Sequence, residues 1–339
     1  MKRNTAIIYW GSRGGGPRLL LNLIRVVQDM NSQILFYASS NNELLRELQA
    51  NMGKNLEITP LPRNKLFLIS NTPLRNSIVR NVLANLDKNN VTRVYFLMPH
   101  PWDLYLAKKI KKAGKIEVWR GIHEVHRHPG DVWPNKLTIR KLVKNADTLV
   151  CFSSYIEKRL LRYGKPIVKS HLFEVTRENK IAPQKGSVLF VGRIKKYKGL
   201  DLLAKAWPLV LSPQKSLTVA GRGAIPHDLK KVGATLINEW LSNSEIEDLI
   251  RKSNLVVLPY VEASQSGIIA IAHSLSTPVV VTPVGGLADQ VVEGMNGLVA
   301  SDSTPESLAA TIDAALSKVW DIETAVNPLP NFLSELESN

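Results

Sequence analysis

The stretch from Asn254 to Gly286, NLVVLPYVEASQSGIIAIAHSLSTPVVVTPVGG, leaves the chain the fewest choices. Leu255 to Leu258 is an apolar run closed by Pro259, the pattern of a buried strand. A polar loop, Glu262 to Gly267, follows it. Ile268 to Leu275 is apolar over a helical length, and Val279 to Val281 is a second buried strand. Strand, loop, helix and strand make a βαβ unit. Its loop leaves backbone N–H groups at a helix N-terminus, beside the positive end of the helix dipole, which is a seat for an anion. Gly267 lets a ligand come close to the backbone. A phosphate in this seat is the expectation; an ordinary βα turn is the alternative.

The same alternation runs through the rest of the chain. Ala6 to Trp10 reads as a strand, and Gly11-Ser12-Arg13-Gly14-Gly15-Gly16-Pro17 leads into a helical pattern from Leu19. The spacing is not Gly-x-Gly-x-x-Gly, and the next strand, Ile34 to Ala38, ends in Ser39-Ser40 rather than an acidic residue. A dinucleotide site is therefore not expected there. Phosphate contact or a plain tight turn both fit Gly14, Gly15 and Gly16. Further helices are expected at Asn42–Asn51, Asn76–Asp87, Tyr105–Ala113 and Trp133–Asn145, with strands at Val94–Met98, Ile116–Trp119 and Thr148–Phe152. Ser170 to Ser187 lacks periodicity and reads as a linker. A second series follows: strand Ser187–Val191, helix Leu200–Leu211, strand Leu217–Ala220, helix Asn243–Lys252, the central unit, and helix Thr304–Leu316.

Two such series imply an α/β chain of two doubly wound, Rossmann-like domains facing a cleft. The expected boundaries are 1–172, a linker at 173–186, 187–320, and a tail at 321–339. Ligands in such folds sit beyond the carboxyl ends of the strands.

Charge narrows the partners. The net charge of +15 lies mainly in the first half, with clusters at Lys108–Lys115 and Arg127–Lys144. Such a surface attracts phosphates, anionic membranes or nucleic acid. Zinc-finger spacing, RNA-binding aromatic motifs and arginine-rich tails are lacking, so nucleic acid is not expected. No apolar run reaches the ~18 residues of a membrane span. The N-terminal apolar piece is too short for a signal-peptide core, and the single Cys151 allows no intramolecular disulfide. A cytoplasmic location is the expectation.

Several motifs occur in order in the second half. Phe190-Val191-Gly192-Arg193, Lys198-Gly199-Leu200-Asp201-Leu202-Leu203, Gly221-Arg222-Gly223, and Pro259 with Gly267, Pro278-Val279-Val280, Gly285-Gly286-Leu287 and Asn296-Gly297-Leu298-Val299 together resemble GT-B glycosyltransferases of the retaining family 4. The resemblance covers about residues 187–316. It implies GT-B architecture, with an acceptor-binding first domain and a donor-binding second domain. It implies transfer, with retention, from a nucleotide-diphosphate sugar to a hydroxyl of a glycan or lipid-linked glycan, as in bacterial polysaccharide biosynthesis. No cofactor or metal is implied. An association with the inner face of the cell membrane suits the basic first domain.

Two cations after one strand, Arg193 and Lys198, suit a diphosphate leaving group. Gly192, Gly221 and the amides of Ser266, Gly267 and Ile268 would complete its cradle. The family's Glu-x7-Glu is altered: Ala263 and Ile271 stand where the two acids fall. Glu262 is one residue off and is assigned to the donor sugar hydroxyls, with Gln265 and Ser266 at the phosphates. His123, just past a strand end, resembles the histidine of the family's first domain and would polarise the sugar or accept a proton from the acceptor. Glu124, His126 and Asp131 are equally available for that proton, and a structural loop is a further reading. A sugar-nucleotide epimerase and a non-catalytic sugar-nucleotide-binding subunit remain alternatives.

Overall fold

The structure is a computed structural model and describes residues 4–29, 34–64, 71–125, 135–175, 181–320 and 322. Described residues up to His171 form one compact unit, and those from Leu172 onward form a second.

Among its described residues the first unit holds seven strands: β1 (Thr5–Tyr9), β2 (Leu35–Ser39), β3 (Leu56–Thr59), β4 (Arg93–Phe96), β5 (Glu117–Ile122), β6 (Thr148–Cys151) and β7 (Ile167–Lys169). All pair in parallel in the order β3-β2-β1-β4-β5-β6-β7. Its helices are α1 (Gly15–Asp29), α2 (Leu45–Met52), α3 (Thr72–Lys88), α4 (Asp103–Ala113), α5 (Lys136–Lys144) and α6 (Ser154–Leu160). The second unit holds β8 (Gln184–Val191), β9 (Ser216–Ala220), β10 (Thr235–Ile237), β11 (Ser253–Leu258), β12 (Val279–Val281) and β13 (Gly297–Val299), in the order β10-β9-β8-β11-β12-β13, again parallel. Its helices are α7 (Leu200–Ala206), α8 (His227–Lys231), α9 (Asn243–Lys252), α10 (Gly267–Ser274) and α11 (Pro305–Ser317). Each sheet winds outward from its centre in both directions, so two Rossmann-like units are present.

Local chemistry explains the element ends. Asn71 accepts from the Leu74 amide and starts α3 four residues earlier than the apolar pattern suggests. Asn135 accepts from Thr138 and starts α5. Ser153 caps α6, and Ser242 with Glu245 forms a complete capping box on α9. The helix expected to run to Leu211 ends at Ala206 and tightens to a 3-10 turn, because Pro208 supplies no N–H. Each sheet is buried on both faces: Val188 to Val191 and Leu255 to Leu258 are all at most 2% exposed and form one core with α7, α10 and α11.

Candidate functional site

A doubly wound sheet opens a crevice where neighbouring strands send their chains to opposite sides. In the second unit this point lies between β8 and β11; in the first it lies between β1 and β4.

In the second unit the loop after β8 carries Gly192, the exposed Arg193 and, as the last residue of a short 3-10 turn, Lys198. The loop after β11 carries Glu262, half-buried, and leads into α10. The two loops are joined. The Val261 amide donates to the Tyr197 carbonyl at 2.9 Å. Gly199 has φ +70° and lies so close under the Pro259 carbonyl that a Cβ would overlap it, which is why only glycine fits. The Lys198 ammonium sits 3.8 Å from the centre of the Tyr260 ring. Gly192 faces Ile268, whose Cγ1 would stand 4.0 Å from an added Cβ. The Arg193–Lys198 segment and the start of α10 therefore share one crevice. Gly221 lies directly against the Gly192 carbonyl and supports the loop from below.

The start of α10 differs in one respect from the sequence expectation. Ser266 adopts an extended N-cap geometry, but its hydroxyl caps no helix amide. Its own amide donates to Gln290 Oε1 at 2.7 Å, and Gln290 Nε2 donates back to its carbonyl at 3.0 Å. The Ser266 amide is thus engaged, and the helix opens with those of Gly267 and Ile268. No acidic side chain lies in the first turn, so the dipole there is uncompensated. Beneath it, the Tyr260 and Ser266 hydroxyls lie 3.3 Å apart, and buried Thr282 donates to the Tyr260 carbonyl at 2.5 Å. Burial pushes the Tyr260 hydroxyl up to about 12, so it stays protonated. Tyr260, Thr282 and Gln290 carry no local sequence signal; only the hydrophobic burial of Tyr260 beside Pro259 hints at a support role. Gln265 is half-buried. Ile271, which stands where the family has an acid, is 6% exposed and packs into the core.

The first unit's crevice is arranged differently. The glycine loop is held by its own chain: the Gly14 amide donates to Glu43 Oε1 at 2.9 Å, and the Glu43 amide donates to the Ser12 carbonyl at 2.9 Å. A carboxylate thus already occupies the amide that a phosphate would use at Gly14. Gly15 is exposed at the start of α1, and Gly16 is buried against the Tyr9 ring.

Past β4 and β5 lies a buried polar cluster. His123 is 6% exposed, stacks on Phe152 with ring centres 4.2 Å apart, and has Nε2 3.0 Å from the Leu97 carbonyl. Burial pulls its pKa down to about 4, only partly offset by that bond, so the ring is neutral near pH 7. His100 is likewise pulled down to about 4 by burial and lies edge-on to Trp10. Asp103 pairs with Arg120 at 2.9 Å, at 1% and 0% side-chain exposure. Burial pushes the Asp103 carboxyl up to about 7, against the pull of Arg120. Glu124 is half-buried. His126 and Asp131 lie outside the described residues.

Residues 185–318 match the family Glycosyl transferases group 1. An uncharacterized glycosyltransferase of Methanocaldococcus jannaschii is 25% identical over 90% of this chain and 85% of its own length. Another from the same organism is 31% identical over 41% of this chain; that match spans only 38% of the relative. Among solved structures, Anabaena HepE in complex with UDP and glucose superposes with a TM-score of 0.68 at 14% identity, over 98% of this chain and 99% of that one. The match over the second unit, the named relatives and the two Rossmann-like units together support a glycosyltransferase enzyme of GT-B fold, whose residues 185–318 are similar to Glycosyl transferases group 1.

Proposed function

We propose that the chain transfers a sugar, with retention, from a nucleotide-diphosphate sugar to a hydroxyl of a glycan or lipid-linked glycan. The observation that carries this reading is the meeting of Lys198, stacked on Tyr260, with the loop that opens α10, while Gly192 faces Ile268. Arg193 and Lys198 hold the diphosphate and stabilise it as it leaves, without a metal. The amides of Gly267 and Ile268 add donors at the positive end of the helix. Glu262 binds the donor sugar's hydroxyls, with Gln265 beside the phosphates. The solved HepE structures, in complex with UDP and glucose or with UDP-glucose, support a nucleotide-sugar donor on this fold.

His123 takes the first unit's part in the reaction. A neutral imidazole with a depressed pKa is a weak base near pH 7, so its burial favours polarising a sugar hydroxyl over removing a proton. The acceptor belongs to the first unit in this reading. Exposed Lys108, Lys111 and Lys112 on α4, with Lys136, Arg140, Lys141 and Lys144 on α5, suit an anionic membrane surface at the inner face of the cell membrane. No helix among the described residues is long and apolar enough to cross a membrane.

The test is a panel of nucleotide sugars assayed for nucleoside diphosphate release with and without acceptor glycans. Release by the wild type, and loss of about 100-fold in kcat/KM in Arg193→Ala, supports the reading. No binding of any donor, or an unaffected Arg193→Ala variant, sinks it. One observation favours a second reading, a sugar-nucleotide-binding subunit without turnover: Ile271 lies in the core where the family places an acid. Donor affinity without release would select it.

A further inference from the structure

The Leu97 carbonyl, directly after β4, is constrained from several directions. His123 Nε2 stands 3.0 Å from it, which makes Nε2–H the donor and leaves Nδ1 as the ring's acceptor. Gly121, two residues earlier on β5, meets the same carbonyl so closely that a Cβ would overlap it. The Leu97 amide donates to the Ile8 carbonyl at 3.0 Å. From there the chain turns through His100 to Asp103. The Asp103 carboxylate accepts from the His100 amide at 2.8 Å and from Arg120 Nη1 at 2.9 Å. The Arg120 guanidinium in turn lies 4.0 Å over the ring of Phe96, the residue just before Leu97. The 96–103 segment is therefore gripped by Arg120 and Gly121, the residues that lead into His123.

This grip is an unusual way to join two strands. Arg120 Nε, Arg120 Nη2 and Asp103 Oδ1 are buried and take no hydrogen bond among the described residues. A buried ion pair with unsatisfied atoms is a poor source of stability, and a well-packed apolar pair of similar volume often does as well or better. Directional bonds do what an apolar pair does not: they set where a backbone turn points.

We propose that Asp103, Arg120 and Gly121 are positioning residues that hold the Leu97 carbonyl and, through it, select the Nε2–H tautomer and ring orientation of His123. The inference rests on the proposed part of His123 in the reaction, but its first test does not need a substrate. The full chain is labelled with ring-15N histidine, and the His123 signal is assigned by its loss in His123→Gln. The expected wild-type spectrum shows His123 as the neutral Nε2–H form alone. In Asp103→Asn and Gly121→Ala the His123 nitrogens move toward a tautomer mixture, while the His273 signal of the second unit stays in place. Arg120→Lys, which keeps the cation but not its planar fork, is expected to fall between. A wild-type His123 that is mixed or Nδ1–H overturns the inference, as does an unchanged His123 signal in a folded variant; the wild-type spectrum decides even if the variants fail to fold.

The second arm measures nucleoside diphosphate release. A tautomer shift with about tenfold lower kcat and unchanged donor KM supports both the positioning and the reading. A tautomer shift with unchanged kcat keeps the positioning and removes His123 from the proposed mechanism.

Discussion

The two crevices share one topology and use it in opposite ways. Between β8 and β11 the polar groups are turned outward: Arg193 is exposed, α10 has no acidic residue in its first turn, and the supporting Tyr260, Thr282 and Gln290 lie beneath. Between β1 and β4, and on to β5, they are engaged by the protein itself: the exposed Gly14 amide is answered by Glu43, while His100, Asp103, Arg120 and His123 are buried. A parallel sheet thus fixes where a crevice opens, and the loops decide whether it offers charge to a ligand or keeps it for the protein. The outward version suits an anion; the inward version suits the placing of a neutral group.

The sharpest way to break this contrast is to remove one partner of the buried pair. Asp103→Ala leaves Arg120 as an uncompensated buried cation and is expected to destabilise the first unit by about 3–5 kcal/mol. Urea unfolding followed by probes in each unit checks this; a loss below about 1 kcal/mol would show that the inward charges are idle. Next in size is Lys198→Ala, which should lower nucleoside diphosphate affinity or kcat/KM by about 100-fold with little change in thermal stability, because the outward cation serves the ligand. Equal losses of stability and affinity would blur the two crevices.

Acid titration separates them further. Burial holds His100 and His123 unprotonated below their ordinary value of 6.5, where the unfolded chain binds a proton at each. Between about pH 6 and 4.5 the unfolded chain therefore carries up to two protons that these groups lack in the fold, and the two make stability fall with acid by up to about 2.7 kcal/mol per pH unit. His123→Gln removes one of the two and should halve that contribution to the slope. An unaltered slope across that window would show that His123 titrates normally. The smallest expected effect is a coupling in the second unit. Tyr260→Leu should weaken Lys198's contribution to nucleoside diphosphate binding by about 1 kcal/mol, read from a double-mutant cycle with Lys198→Ala. Full additivity would mean that the ring does not help to hold the ammonium.

Much of the fold was legible because buried parallel strands write themselves as unbroken apolar runs. Leu255–Leu258 and Val279–Val281 were readable for that reason, with Pro259 and Pro278 as their punctuation. The edge strands β3, β7 and β10 were not, since they are short and only half-buried and carry little pattern. That Arg193, Lys198 and Gly267 sit on loops following strand ends was also readable, because the apolar runs before them mark where each strand stops. The network of His100, Asp103 and Arg120 was not. Its partners come from different strands, and nothing local to Arg120 announces that the charge turns inward. Gln290 was unreadable for the same reason: it reaches Ser266 across 24 residues of chain.

Gly199 beneath the Pro259 carbonyl, together with the bond from Val261 to Tyr197, has a mechanical corollary. The two segments cannot swing apart one at a time, so the floor of this recess is a single stiff plate rather than a pair of jaws. An arriving anion then spends little of its binding energy on ordering that floor, and discrimination between anions falls to shape and charge spacing rather than to loop closure.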